Sequence, residues 1–127
     1  MLDIQKMTEK TREALAAAGA AAREYGHQEI RPIHLLSALA HQDGGLLPSL
    51  LRRLGTPNSL LSEAVEAELA KLPKVTGNAV DVYPSRDFSN ILVEARDRAE
   101  KMKDEYISVE HLLIDRKSTR LNSSHTS

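Results

Sequence analysis

The stretch Ile30-Arg31-Pro32-Ile33-His34-Leu35-Leu36 returns further along the chain as Ile107-Ser108-Val109-Glu110-His111-Leu112-Leu113. Counting from His34 to His111 gives an offset of 77, and the same offset pairs Thr8 with Ser85, Leu15 with Leu92, Ala18 with Ala95 and Ala22 with Ala99. One unit has been used twice. Each copy predicts the start of a helix. In the second, Ser108 is an N-cap candidate, because its hydroxyl can accept a hydrogen bond from a free N–H of the first turn. Glu110 follows where the helix dipole favours a carboxylate. In the first copy, Pro32 suits the first helical position, which has no N–H bond to lose. The Leu-Leu pair then begins the buried face.

Upstream, over residues 8–25, Ala14, Leu15, Ala18, Ala22 and Tyr25 recur at threes and fours, with Thr8 as N-cap and Gly26 as the stop. A second helix is predicted over about 32–41, with Leu35, Leu36 and Leu39 on one face. After the turn Asp43-Gly44-Gly45 comes a short helix over 46–54, with Pro48 in its first turn. Gly55-Thr56-Pro57-Asn58 breaks the chain before a fourth helix over about 59–72. Residues 73–84 carry valines at no helical period and read as an extended connector. A fifth helix over 85–102, capped by Ser85, repeats the first with a stripe of Phe88, Ile91, Leu92, Ala95, Ala99 and Met102. The expected fold is therefore all-α, a tandem repeat with its second unit incomplete. Repeat one is placed at about 1–72, the connector at 73–84 and partial repeat two at 85–114, making one domain over 1–114.

Composition excludes several classes of function. Net charge is −1, from 17 basic and 18 acidic residues mixed along the chain. Nucleic-acid binders draw most of their affinity from a basic face that neutralises phosphates, so no nucleic-acid partner is expected. Without cysteine there is no disulfide and no thiol chemistry. The first ten residues are polar and no apolar run approaches the length that spans a bilayer, so no membrane partner and a cytoplasmic location are expected. Five histidines raise the question of a metal. His34 and His41 lie seven apart, but a site needs three or four converging ligands. His34 and His111 read instead as equivalent packing or capping residues, with no metal expected. Neither a nucleophile elbow nor G-x-x-x-x-G-K-[ST] occurs, so no catalytic residue, no cofactor in this chain and no enzyme activity are expected.

Gly26-His27, the run from Ile30 through Leu36 with Ser37-Ala38-Leu39 after it, and the linker Leu72-Pro73-Lys74-Val75-Thr76-Gly77 together resemble the Clp N-terminal repeat domain. Asp81-Val82 and Pro84-Ser85 make the linker more similar to the ClpB branch, the ATP-dependent disaggregases, than to ClpA or ClpC. The resemblance covers residues 1–114. It implies a pseudo-dimer of two four-helix units, joined flexibly to the front of a hexameric AAA+ ATPase. Such a domain binds unfolded or aggregated polypeptide, or adaptor proteins, and passes clients towards the pore; ATP belongs to the motor domains. An adaptor-docking or regulatory domain is the alternative. The resemblance also implies substrate handling by Thr8, Asp104 and Glu110, although Thr8 and Glu110 at helix starts equally suit plain capping. The ClpC branch is expected to bind phosphorylated arginine through a Glu before the His-Leu-Leu of each repeat. Here that residue is Glu110 in one repeat and Ile33 in the other, which speaks against a symmetric site.

Beyond Ile114 the repeat pattern collapses. Residues 115–127 have Leu121 as their only aliphatic side chain, and the offset places Arg116 where Leu39 stands. This stretch reads as a disordered tail and resembles translated sequencing-adapter read-through, so it is expected to be foreign. Each leucine left unburied forfeits about 1.5–3 kcal/mol, against a total of about 5–15 kcal/mol for a domain. Marginal stability is the expectation.

Overall fold

The computed structural model describes residues 6–74 and 82–113. Most of the predicted connector and the predicted tail lie outside these residues. Helix α1 spans Glu9–Glu24. Its start follows the sequence, since the Thr8 hydroxyl accepts the Thr11 N–H and Glu9 sits in the first turn. Alanine and glycine supply most of its inner face, with Ala14, Ala18, Gly19 and Ala22 buried. Helices α2 (Pro32–Ala40), α3 (Leu46–Arg53), α4 (Asn58–Lys71) and α5 (Arg86–Lys101) follow, and residues 109–113 are helical. Helix α4 begins one residue before the predicted start because Asn58 is recruited there: its Nδ2 donates to the Ala40 carbonyl at 3.1 Å and ties α4 to the end of α2.

The core centres on α2, which packs against α1, α3, α4 and α5. Leu35 and Leu39 join Ala14 and Ala18 of α1, Phe88, Ile91, Ala95 and Ala99 of α5, and Leu112 in one continuous cluster. Small side chains let the helix axes come close, while leucine and phenylalanine fill the space between them. Met102, expected in the stripe of the fifth helix, is instead 48% exposed. Met102 is the C-cap of α5, where the chain turns off the helix before that side chain can pack inward.

Helices α1 and α5 end alike. The left-handed residue after the first is Gly26 (φ 77) and after the second is Lys103 (φ 60), positions related by the offset of 77. At the first end His27 N–H donates to Ala22 O at 2.8 Å and Gly26 N–H to Arg23 O at 3.1 Å. At the second, Asp104 N–H donates to Ala99 O at 2.9 Å and Lys103 N–H to Glu100 O at 3.0 Å. Both are Schellman motifs, which satisfy the last carbonyls of a helix and fix the direction of the exit.

The two repeats are laced together by backbone pairing that the helical periodicity did not announce. Strand β1 (Glu29–Ile30) runs parallel to β2 (Tyr83–Pro84), and Met7 forms an isolated parallel bridge with Ile107. These seams are equivalents: Ser85 N–H donates to Ile30 O at 2.9 Å, and Thr8 N–H donates to Ile107 O at 3.0 Å. Each repeat thus lends the segment before its first helix to the interhelical link of the other. Two-residue strands give no period to read.

Candidate functional site

Each interhelical link is stapled at both ends by one histidine. In repeat one, Arg31 N–H donates to His34 Nδ1 at 2.8 Å, and His34 Nε2 lies 2.8 Å from His27 Nδ1. In repeat two, Ser108 N–H donates to His111 Nδ1 at 2.8 Å, and His111 Nε2 lies 2.8 Å from Asp104 Oδ2. The reading of His34 and His111 as equivalent capping residues holds. The Ser108 hydroxyl, read as the cap itself, lies 3.1 Å from His111 Nδ1. His41, considered beside His34, is exposed and its Nδ1 bonds to the Ser37 carbonyl instead.

These contacts fix the tautomers. Nδ1 of His34 and of His111 receives a backbone N–H, so the proton of each neutral ring sits on Nε2 and is donated onward. His34 passes it to His27 Nδ1, which leaves the His27 proton on its own Nε2, a buried atom that makes no close hydrogen bond among the described residues. Burial, with the charges of Lys74 and Arg31 next, holds His27 below the usual histidine range, opposed by the Leu69 carbonyl. Burial, followed by the His27 ring, brings His34 down to about 4.

Of the three residues singled out in the sequence, Asp104 and Glu110 are brought together. Both are exposed, and their carboxylates lie with a His111 ring nitrogen inside a 4.8 Å span. The Nε2 proton sets this trio against metal ligation: a metal on that nitrogen needs the lone pair there, and moving the proton to Nδ1 would drive it against Ser108 N–H. Thr8 is tied by its main chain to Ile107, but its hydroxyl turns into α1, 2.8 Å from the Thr11 hydroxyl. Exposed Met102 and Tyr106 flank Asp104 along the chain, at 48% and 52% accessibility. The His27–His34 and Asp104–His111 pairs escaped sequence reading, although their signal was there: both span seven residues and obey the offset of 77.

The chain matches the family described as the Clp repeat (R) N-terminal domain over residues 6–117. It is 44% identical over 114 residues to the chaperone protein ClpB of Nitratidesulfovibrio vulgaris, covering 87% of this chain and 13% of that one. Against the ClpB of Clostridium tetani it is 35% identical over 116 residues, covering 89% and 13%. The chain thus spans a small fraction of the length of these relatives. Among solved structures, the Hsp104 N-terminal domain from Candida albicans superposes with a TM-score of 0.78 at 21% identity, covering 86% of this chain and 71% of that one. The N-terminal domain of the ClpV1 ATPase from E. coli gives 0.78 at 24% identity, with 86% and 66% covered. This chain belongs to the Clp N-terminal repeat domain family, in company with the N-terminal domains of ClpB-type chaperones.

Proposed function

We propose that this domain captures unfolded or aggregated polypeptide for a ClpB-type AAA+ disaggregase in the cytoplasm. The observation that carries this reading is the meeting of the Asp104 and Glu110 carboxylates on a segment that also exposes Met102 and Tyr106. Exposed apolar side chains of a client gain by covering Met102 and Tyr106, while the acidic pair biases which segments settle there. Affinity is weak and broad, because a small apolar area must offset the ordering of a flexible chain. The motor, its ATP and its hexamer belong to other domains. Thr8 serves the site indirectly, by holding α1 against the segment that carries it.

The test is binding of a fluorescently labelled, permanently unfolded protein, followed by anisotropy. The double change Asp104→Asn and Glu110→Gln removes both charges and leaves a side-chain acceptor for His111. Capture weakens about fivefold, equivalent to about 1 kcal/mol. Unchanged capture removes the pair from the site.

A second reading, docking of one folded adaptor, is favoured by Leu54 and Leu60, which are 71% and 59% exposed near the turn between α3 and α4. Binding of a folded partner, lost on Leu54→Ser and indifferent to the acidic pair, would select this reading.

A further inference from the structure

The histidine staples of the two repeats have the same geometry and opposite tolerance of a proton. In repeat one the chain Arg31 N–H to His34 Nδ1, His34 Nε2 to His27 Nδ1 uses every ring lone pair. An added proton on His34 Nδ1 faces Arg31 N–H, and one on His27 Nδ1 faces the His34 Nε2 proton. Either way a donor meets a donor and one hydrogen bond breaks. The surroundings deepen this exclusion. Tyr25 at the end of α1 stacks on the His27 ring, Arg31 at the start of α2 is cationic although paired with Glu29, and Lys74 beyond α4 adds a second positive charge. Tyr83 of β2 lines the same cleft as His27, Glu29 and Arg31, and the Leu69 carbonyl of α4 is the group that favours charge on His27.

In repeat two a proton has somewhere to go. Asp104 offers a second carboxylate oxygen, so protonation there leaves Oδ2 accepting from His111.

What the staple holds is the link that pairs with the other repeat. His27 precedes Gln28, whose carbonyl accepts Tyr83 N–H at 3.2 Å, and Arg31 follows Ile30, whose carbonyl accepts Ser85 N–H at 2.9 Å. Breaking either bond of the staple frees one end of this three-residue link. We infer that the fold contains an acid-sensitive latch: protonation of the His27–His34 pair opens the β1–β2 seam while the equivalent Met7–Ile107 seam stays closed.

Amide hydrogen exchange on the full chain, corrected for intrinsic rates, reads both seams at once. On lowering the pH from about 7.5 to about 5, protection at Tyr83 and Ser85 falls about tenfold, as expected for an opening linked to one proton, while Thr8 and Ile107 hold theirs. His27→Asp gives repeat one the partner found in repeat two and abolishes the fall. Parallel loss at both seams, or no loss at Tyr83 and Ser85, overturns the proposal. Should His27→Asp not fold, Asp104→His provides the converse: acid loss appears at Thr8 and Ile107, and its absence overturns the latch equally.

Discussion

His27 and Asp104 occupy equivalent positions 77 residues apart, directly after the left-handed residue that ends the first helix of each repeat, and each side chain meets the histidine seven residues on at 2.8 Å. The Schellman motif aims the side chain, the next helix presents its histidine at the third position, and the backbone N–H of the N-cap orients that ring. The same scaffold therefore carries a neutral ring in one repeat and a carboxylate in the other.

Asp104→Ala and Asp104→Asn are expected to part company. Alanine leaves the His111 Nε2 proton without its partner beside a buried ring, costing about 1–2 kcal/mol; asparagine keeps an acceptor and costs less than half of that. Urea unfolding of the two variants checks this, and equal losses would show that the contact adds little.

Stability is expected to fall on mild acidification. His34 titrates near 4 in the folded chain and at its ordinary 6.5 when unfolded, so between these values the unfolded state binds the extra proton. Its contribution is full above pH 6.5 and is lost progressively down to about pH 4, amounting to about 3 kcal/mol. His27 is shifted in the same direction. Urea midpoints measured from about pH 7 to about pH 5, where ordinary carboxylates remain ionised, isolate the histidines. A flat profile would contradict the proton exclusion.

Lys103→Gly should stabilise the domain by about 0.5 kcal/mol, since relief of the left-handed strain outweighs the added freedom of the unfolded chain. At the equivalent position Gly26→Ala should cost about 1 kcal/mol. Thermal melts of both variants give the signs directly, and a destabilised Lys103→Gly would mean that the lysine stem packs usefully.

Ala18→Leu and Ala95→Leu should each cost about 1–3 kcal/mol, because both residues are wholly buried in the shared core and the added atoms must displace a neighbouring helix. Ala16→Leu, on the exposed face of α1, should be near neutral. Denaturant midpoints of the three variants distinguish burial from any general intolerance of leucine in these helices.

The amino-acid order by itself determined the helices, the Thr8 and Ser85 caps and the twofold use of one unit, whereas the Ser108 hydroxyl turned to the His111 ring and not to a first-turn N–H. Those depend on contacts within a few residues: Thr8 and Ser85 reach the N–H three positions on, and Ala14, Ala18 and Ala22 recur with the helix turn. Family membership was legible for the same reason, through motifs held at fixed spacing. Tertiary structure decided how the repeats join and what the polar residues do. Met7 meets Ile107, and Glu29–Ile30 meets Tyr83–Pro84, across separations that no local period records. Whether Thr8 faces a client or its own helix, and whether Asp104 is free or bound to a histidine, depends on where folding places a partner, and only the folded chain supplies one.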